Sequence, residues 1–134
     1  MTLELLIVDD SELICAGLVR LIQGLESVTT IQTACTLAQT LKCLRVESPT
    51  LLILDPSFQD CNAIQFINLM KKMMPDMLIA VLTNDPSEFN RNKCTRAGAD
   101  WFFDKASEIE NLLDVVQKQA ALNRTISITE GQPR

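Results

Sequence analysis

The feature that most constrains the fold of this chain is an apolar run that stops at a carboxylate and a proline. Residues 51–54 are all aliphatic, and Asp55 and Pro56 follow them directly. An unbroken apolar run fits the interior of a parallel sheet that is covered on both faces. Because proline cannot continue a central strand, the chain must leave the sheet just after Asp55. Asp55 is therefore either a simple turn residue or a group at the edge where open α/β sheets bind their ligands.

Strand and helix patterns alternate five times along the chain. The predicted strands are residues 3–8, 28–34, 51–55, 77–83 and 101–103, and each is followed by a helical pattern. Five βα units with short connections predict a doubly wound, flavodoxin-like parallel sheet with right-handed crossovers, for which we adopt the strand order 2-1-3-4-5.

Helix boundaries are predicted from capping and breaking residues. Asp10 or Ser11 is expected to cap the first helix, with Gly24 at its C′ position, and Thr36 to cap the second. The last amphipathic pattern ends at Leu122. Residues 1–122 are therefore predicted to form the domain, and residues 123–134 a C-terminal tail or the start of a linker.

Composition excludes several functional classes. The net charge is −5 and no Lys/Arg cluster is present, which argues against nucleic-acid binding by this segment. No apolar run approaches the length of a membrane helix, and the first residues lack the basic start of a signal peptide. With no histidine and no paired cysteine motif, zinc-finger and Cys/His catalytic sites are excluded, and reduced thiols in a cytoplasmic protein are expected. The five cysteines are Cys15, Cys35, Cys43, Cys61 and Cys94.

Polar side chains occur at the carboxyl ends of four predicted strands that this order places side by side. They are Asp9, Asp10, Asp55, Thr83, Asn84 and Lys105. Three carboxylates in one crevice would repel one another unless cations are present, and Mg²⁺ commonly takes one or two carboxylates together with water and phosphate oxygens. A carboxylate nucleophile, a metal ion, a lysine and a hydroxyl are the groups that phosphoryl transfer onto an aspartate requires.

Each of these residues also has a simpler interpretation. The Asp9-Asp10 pair is compatible with a solvated turn and helix cap, and Thr83 with the cap of the following polar helix. Lys105 is compatible with an ordinary surface charge. All of them fall at the ends of βα units, however, and this conjunction favours the functional interpretation.

The residues at these strand ends resemble the motifs of response regulator receiver domains of bacterial two-component signalling systems. The resemblance covers residues 3 to about 122. It is carried by Leu6-Ile7-Val8-Asp9-Asp10-Ser11, Leu52-Ile53-Leu54-Asp55, Ala80-Val81-Leu82-Thr83, Ala97-Gly98-Ala99-Asp100 and Asp104-Lys105-Ala106.

The resemblance implies a role for each matching residue. Asp55 would be the phosphoacceptor, and Mg²⁺ would be bound by Asp9, Asp10, Asp55 and the main-chain carbonyl of Ser57. Thr83 and Lys105 would contact the phosphoryl group, and Phe102 would occupy the aromatic switch position. Such a domain catalyses its own phosphorylation and dephosphorylation without being a conventional enzyme, and it takes the phosphoryl group from a sensor histidine kinase or a phosphotransfer protein.

The chain departs from the family pattern near the acceptor and after the switch threonine. Pro56 follows the acceptor, Gln59 and Ala63 replace the usual proline and glycine, and Ala106 replaces the proline that commonly follows the lysine. Asn84 and Asp85 follow Thr83, where their side chains are expected to modulate access of water to the phosphate. These departures concern rates and loop geometry, because none of them removes a catalytic group.

Alternatives remain for the output and for the chemistry. The pattern Val8-Asp9-Asp10-Ser11 with Gly17-Leu18, together with Lys105-Ala106, resembles receivers attached to LuxR-type helix-turn-helix domains. In contrast, Phe103-Asp104-Lys105 resembles stand-alone receivers. The output would be a DNA-binding domain after Arg134 or a separate partner, with dimer or partner contacts through residues 87–122. A second hypothesis is a pseudo-receiver that acts as an interaction module without phosphorylation, and a metal-dependent phosphatase of the same topology is a third.

Overall fold

The structure contains the predicted alternation of strands and helices. The computed structural model describes residues 3–25, 28–57 and 62–131. The strands are β1 (Leu3–Val8), β2 (Val28–Ala34), β3 (Leu51–Leu54), β4 (Leu78–Thr83) and β5 (Trp101–Asp104). The helices are α1 (Glu12–Gln23), α2 (Leu37–Val46), α3 (Ala63–Met73), α4 (Glu88–Ala97) and α5 (Ile109–Gly131).

The strands form one parallel sheet in the order β2-β1-β3-β4-β5, which confirms the predicted topology. β3 lies at the centre, where Leu54 pairs with Val8 of β1 and with Val81 of β4. Since all strands run in the same direction, their carboxyl ends meet along one edge of the sheet. The described part of the chain has no helix that is both long and apolar enough to cross a membrane.

Helices cover both faces of the sheet, which is why β3 contains no polar residue. Leu52 and Leu54 join an apolar cluster that includes residues of α2, α3 and α4. Leu51 and Ile53 join a second cluster with residues of α1 and α5. All four residues of β3 are at most 1% exposed, as expected when alternate side chains of a strand enter different buried layers.

The caps of the first two helices agree with the sequence analysis except at Gly24. Ser11 caps α1 by accepting a hydrogen bond from the Ile14 N–H, and Thr36 caps α2 through the Gln39 N–H. Gly24, predicted at C′, is instead the C-cap residue, with φ −71° in the right-handed region. This helix end therefore makes no use of the positive φ that favours glycine.

The last helix extends beyond the predicted end of the amphipathic pattern. α5 continues past Leu122 to Gly131, so the segment predicted to be a tail or linker is helical through that residue. The apolar pattern did not reveal this extension, because a helix satisfies its own backbone hydrogen bonds whether or not its sequence is amphipathic. Residues 132–134 lie outside the described part of the chain.

A hydrogen-bonded network joins α3 to β4 and to the turn before β5. The Lys71 Nζ donates to the Met77 carbonyl and to Asp100 Oδ2, both at 2.9 Å. The same Asp100 oxygen accepts the Ile79 N–H at 2.9 Å. Gly98, at the end of α4, has φ 125°, and a Cβ built on it would lie 2.6 Å from Lys71 Cγ.

Gly98→Ala is expected to lower the free energy of unfolding by about 1–3 kcal/mol, because alanine is strained at this positive φ and its methyl group meets the Lys71 side chain. Urea denaturation measures the effect. In a Lys71→Ala background most of the steric part should disappear, because the 2.6 Å contact with Lys71 Cγ is removed and only the 3.3 Å contact with its Cβ remains. The backbone part should persist, so the double variant should lose less than the sum of the two single losses. A full sum would contradict the contact with Lys71.

Candidate functional site

Two buried carboxylates lie at the carboxyl edge of the sheet. Asp9 follows β1 and is 3% exposed, and Asp55 follows β3 and is 5% exposed. Backbone hydrogen bonds fix both positions: the Asp9 N–H donates to the Ala34 carbonyl, and the Asp55 N–H donates to the Val8 carbonyl. β1 and β3 are adjacent strands, so their pairing brings the two acidic residues to the same crevice.

Lys105 bridges these two carboxylates. Its Nζ lies 2.6 Å from Asp9 Oδ2 and 2.6 Å from Asp55 Oδ2. The lysine follows β5, and its N–H donates to the Thr83 carbonyl at 2.7 Å, which ties it to the end of β4. Burial by itself would lower the pKa of Lys105, but hydrogen bonds and charge attraction from Asp55 and Asp9 outweigh burial and raise its pKa above the ordinary 10.5.

The remaining oxygen of each carboxylate accepts a local donor. Asp55 Oδ1 accepts the Ser57 N–H at 2.9 Å and the Ser57 hydroxyl at 2.8 Å. Asp9 Oδ1 accepts the Ser11 N–H at 2.9 Å. Each buried side-chain polar atom of the described residues has a hydrogen-bond partner. The carboxylate at the end of β3 is therefore positioned from both sides, by the loop that follows it and by Lys105.

Thr83, Asn84 and Asp85 end β4 beside this crevice. Thr83 is buried, and its hydroxyl oxygen accepts the Asp85 N–H at 3.0 Å. Asn84 and Asp85 are exposed, and Asp85 Oδ1 accepts the Ser87 N–H. Ser87, rather than Thr83, caps α4. The structure thus does not bear out the cap interpretation of Thr83, whose hydroxyl remains next to the strand end.

Asp10 and Phe102 lie outside the hydrogen-bonded group of Asp9, Asp55 and Lys105. Asp10 is exposed, next to the buried Asp9. Phe102 is buried in β5, and the Arg91 guanidinium lies over its ring, 4.6 Å from the centroid. Arg91 Nη1 also donates to the Phe102 carbonyl at 3.4 Å.

The contact between Arg91 and Phe102 was not predicted from the sequence. Arg91 stands three residues before Cys94, the buried residue of α4, and therefore lies on the helical face that packs on the sheet. A cation over an aromatic ring is an attractive contact. Arg91 consequently joins α4 to β5 through Phe102, the predicted switch residue.

The donor set suits a hard divalent cation. Asp9, Asp10 and Asp55 offer carboxylate oxygens, and Ser57 adds a main-chain carbonyl at the start of the following loop, which is the kind of ligand that Mg²⁺ takes. Over residues 3–25, 28–57 and 62–131 no three acidic, cysteine or histidine side chains are already clustered as a metal site. A cation bound here would take oxygens from this donor set together with water.

A buried thiol contacts the backbone of Asp9. The Cys15 thiol donates to the Asp9 carbonyl at 3.5 Å. Burial raises the pKa of Cys15 to about 12, and the neighbouring Cys35 thiol and Asp9 contribute to the increase. The described cysteines, Cys15, Cys35, Cys43 and Cys94, are all free thiols, and Cys61 lies outside the described residues.

Comparison with known protein families and curated sequences gives consistent matches. A family model described as "Response regulator receiver domain" matches residues 5–117. Response regulator GacA of Pseudomonas aeruginosa is 22% identical over 125 residues, which make up 93% of this chain and 58% of that protein. A second Pseudomonas aeruginosa protein is 32% identical over 111 residues, 82% of this chain and 53% of its own length. The chain thus spans little more than half the length of these curated relatives.

Solved structures share the fold at low sequence identity. A signal receiver domain of a DNA binding response regulator from Colwellia psychrerythraea has a TM-score of 0.82 and 16% identity, covering 87% of this chain and 97% of that one. A CheY-like receiver domain protein from Methanospirillum hungatei has a TM-score of 0.79 and 22% identity, covering 93% and 98%. A Burkholderia pseudomallei response regulator with a phosphorylated aspartic acid, calcium ion and citrate has a TM-score of 0.74 and 22% identity, covering 96% and 75%.

Proposed function

This chain belongs to the response regulator receiver domain family, and from that premise we propose that Asp55 accepts a phosphoryl group from a sensor histidine kinase or a phosphotransfer protein. The observation that carries the proposal is the buried Asp55 carboxylate held by Lys105 at 2.6 Å. Asp55 is the nucleophile, and the Lys105 ammonium neutralises charge on the transferred oxygens.

The other polar residues of the edge have complementary roles in this proposal. Mg²⁺ would be held by Asp9, Asp10, Asp55 and the Ser57 main-chain carbonyl, and when bound it supplies further charge neutralisation at the phosphoryl oxygens. Asp9 keeps Lys105 between the two strand ends, because it shares that ammonium with the acceptor. The Thr83 hydroxyl provides a hydrogen-bond donor at the neighbouring strand end, and Asn84 and Asp85 modulate access of water.

We propose that phosphorylation changes the surface formed by residues 87–122 and thereby changes what this surface binds. The Thr83 hydroxyl turns toward the phosphoryl group and loses the hydrogen bond that it accepts from the Asp85 N–H. Phe102 and the α4 helix then adjust together, since Arg91 contacts both the ring and the carbonyl of Phe102. The changed surface binds a partner or a second copy of the domain in the cytoplasm.

The proposed output is control of transcription by a DNA-binding domain in the same polypeptide. The name of one curated relative, a putative transcriptional regulator that is 32% identical to this chain over 111 residues, supports this choice. The net charge of −5 agrees with an output element outside this segment, since an acidic domain repels the phosphate backbone.

Intact mass spectrometry after incubation with Mg²⁺ and a small phosphodonor tests the proposed chemistry. The wild type should gain one phosphoryl group, and a chelator added before the donor should prevent the gain. Asp55→Asn should gain nothing, because the amide is not a nucleophile for this transfer.

Asp100→Asn is the matched control, since Asp100 is also an ion-paired aspartate but lies at the Lys71 network. It should be phosphorylated like the wild type. Absence of phosphorylation in a wild-type chain that still binds Mg²⁺ would contradict the proposal and support the interaction-module alternative. Phosphorylation of Asp55→Asn would show that another residue is the acceptor.

A further inference from the structure

Cys15 and Cys35 form a thiol pair beside the functional site. Cys15 lies in α1 and is 3% exposed, whereas Cys35 follows β2 and is half-buried. Both line one surface cavity together with Glu12, Ala16, Val19, Thr33 and Gln39. Both also belong to the apolar cluster between the sheet and α1. The two sulfur atoms thus share one small region, although the residues are far apart in sequence.

The backbone of Asp9 is hydrogen-bonded to Cys15 and to the residue that precedes Cys35. Cys15 donates its thiol to the Asp9 carbonyl, and the Asp9 N–H donates to the carbonyl of Ala34, the residue before Cys35. The Cys35 N–H takes no part in this contact, because it donates to Gln39 Oε1 at 2.7 Å. A bond between the two sulfurs would therefore link α1 to the end of β2 across Asp9, and it would remove the thiol donor from the Asp9 carbonyl.

We propose that Cys15 and Cys35 are a reversible disulfide site that reacts with low-molecular-weight disulfides. The Cys35 thiolate, which is the more accessible, attacks one sulfur of the small disulfide, forms a mixed disulfide and expels the first small thiolate. Cys15 gives its proton to the first expelled small thiolate and attacks Cys35 Sγ, forming the Sγ–Sγ bond and expelling the second small thiolate. The two protein thiols lose two protons and two electrons, and one small disulfide becomes two thiols.

The positions of the other described cysteines favour this pairing. Cys43 of α2 packs against the cluster on the opposite face of the sheet, and Cys94 of α4 is buried in that same cluster. The sheet therefore separates both of them from Cys15. Disulfide formation requires Cα atoms within about 7 Å of each other, which a pair on the same face meets more readily than residues across a sheet.

Disulfide mapping of the full folded chain tests the proposal without any phosphodonor. The reduced protein is incubated with oxidised glutathione, and its intact mass and non-reduced proteolytic peptides are measured. We expect a species that has lost two hydrogen atoms and contains a Cys15–Cys35 peptide, preceded by a glutathione adduct on Cys35. A reducing thiol should restore the original mass.

Matched cysteine variants complete the experiment. Cys43→Ser should still form the bridge, whereas Cys15→Ser and Cys35→Ser should not, and circular dichroism verifies that each variant is folded. A persistent adduct on Cys35 without ring closure, or a bridge to any other cysteine in the folded chain, would overturn the proposal. The wild-type map alone decides this, so a variant that fails to fold does not affect the result.

Discussion

Replacing Lys105 with methionine is expected to lower the free energy of unfolding by about 3 kcal/mol at neutral pH without divalent cations, toward the lower end of the effect of breaking a buried ion pair. The lysine side chain is 9% exposed and bridges Asp9 and Asp55, which are themselves buried. Methionine has a shape similar to that of lysine, so the loss of stability reflects mainly the removal of the positive charge. Without the ammonium, two negatively charged carboxylates remain close together in a region of low dielectric constant, where they repel each other.

Urea denaturation with and without Mg²⁺ measures this effect. A divalent cation should restore part of the stability of Lys105→Met, because it replaces the missing positive charge, and the recovery should exceed any gain of the wild type. Lys118→Met is the control, since Lys118 is an exposed lysine of α5 and its loss should change stability little. An equal, small effect of both substitutions would contradict the bridging role of Lys105.

Comparison of the wild type with Lys105→Met also isolates the pH dependence of the ion pairs that Lys105 makes with Asp9 and Asp55. The pKa of Lys105 is raised above 10.5 in the fold, so the folded state holds this proton more tightly than the unfolded chain. Its contribution to stability is then fully present below pH 10.5 and is lost as the pH rises through the folded-state value. The difference in stability between wild type and Lys105→Met should be constant at neutral pH and should shrink in that alkaline range.

Leu54→Ala is expected to cost about 2–5 kcal/mol in the free energy of unfolding, the range for truncating a buried leucine to alanine. Leu54 is fully buried in the central strand. It shares an apolar cluster with Val81 and Phe102, whose strands continue the sheet on one side. The cavity left by alanine would open directly before Asp55, in a part of the sheet whose backbone hydrogen bonds limit collapse.

Leu13→Ala is the matched control, because Leu13 of α1 is 86% exposed and its substitution removes little buried surface. Chemical denaturation of both variants gives the two free energies. If Leu54→Ala were no more destabilising than Leu13→Ala, the burial of β3 on both faces would be wrong. The extent of phosphorylation of the folded Leu54→Ala protein, compared with that of the wild type, would further indicate how far Asp55 depends on the packing of Leu54.

The sequence predicted the sheet well because burial leaves a direct pattern in it. Continuous aliphatic runs identify β1, β3 and β4, and polar residues directly after them mark the edge where Asp9, Asp55 and Thr83 lie. Five βα units then limit the topology through the rule of right-handed crossovers. These inferences rest on the backbone path, which apolar patterning and breakers largely determine.

Side-chain details of the site were not predictable in the same way. Lysine has a flexible four-carbon stem, so its position at the end of β5 does not reveal that Lys105 would contact two carboxylates. The neighbours Asp9 and Asp10 also differ, since Asp9 is buried and Asp10 is exposed, and two adjacent aspartates in a sequence do not reveal this difference. The extension of α5 to Gly131 was also missed, since helix formation continues where no apolar face marks it.

The sparse burial of α4 has a thermodynamic consequence. Cys94 is its one buried residue, Ala97 packs partly against the same apolar cluster, and Arg91 contacts Phe102. Detachment of this helix exposes little apolar surface, so it carries a small heat-capacity change and a weak dependence on denaturant concentration. Such an opening is a local event, largely independent of the melting of the sheet, and it allows one surface to reorganise while β3 keeps Asp55 in position.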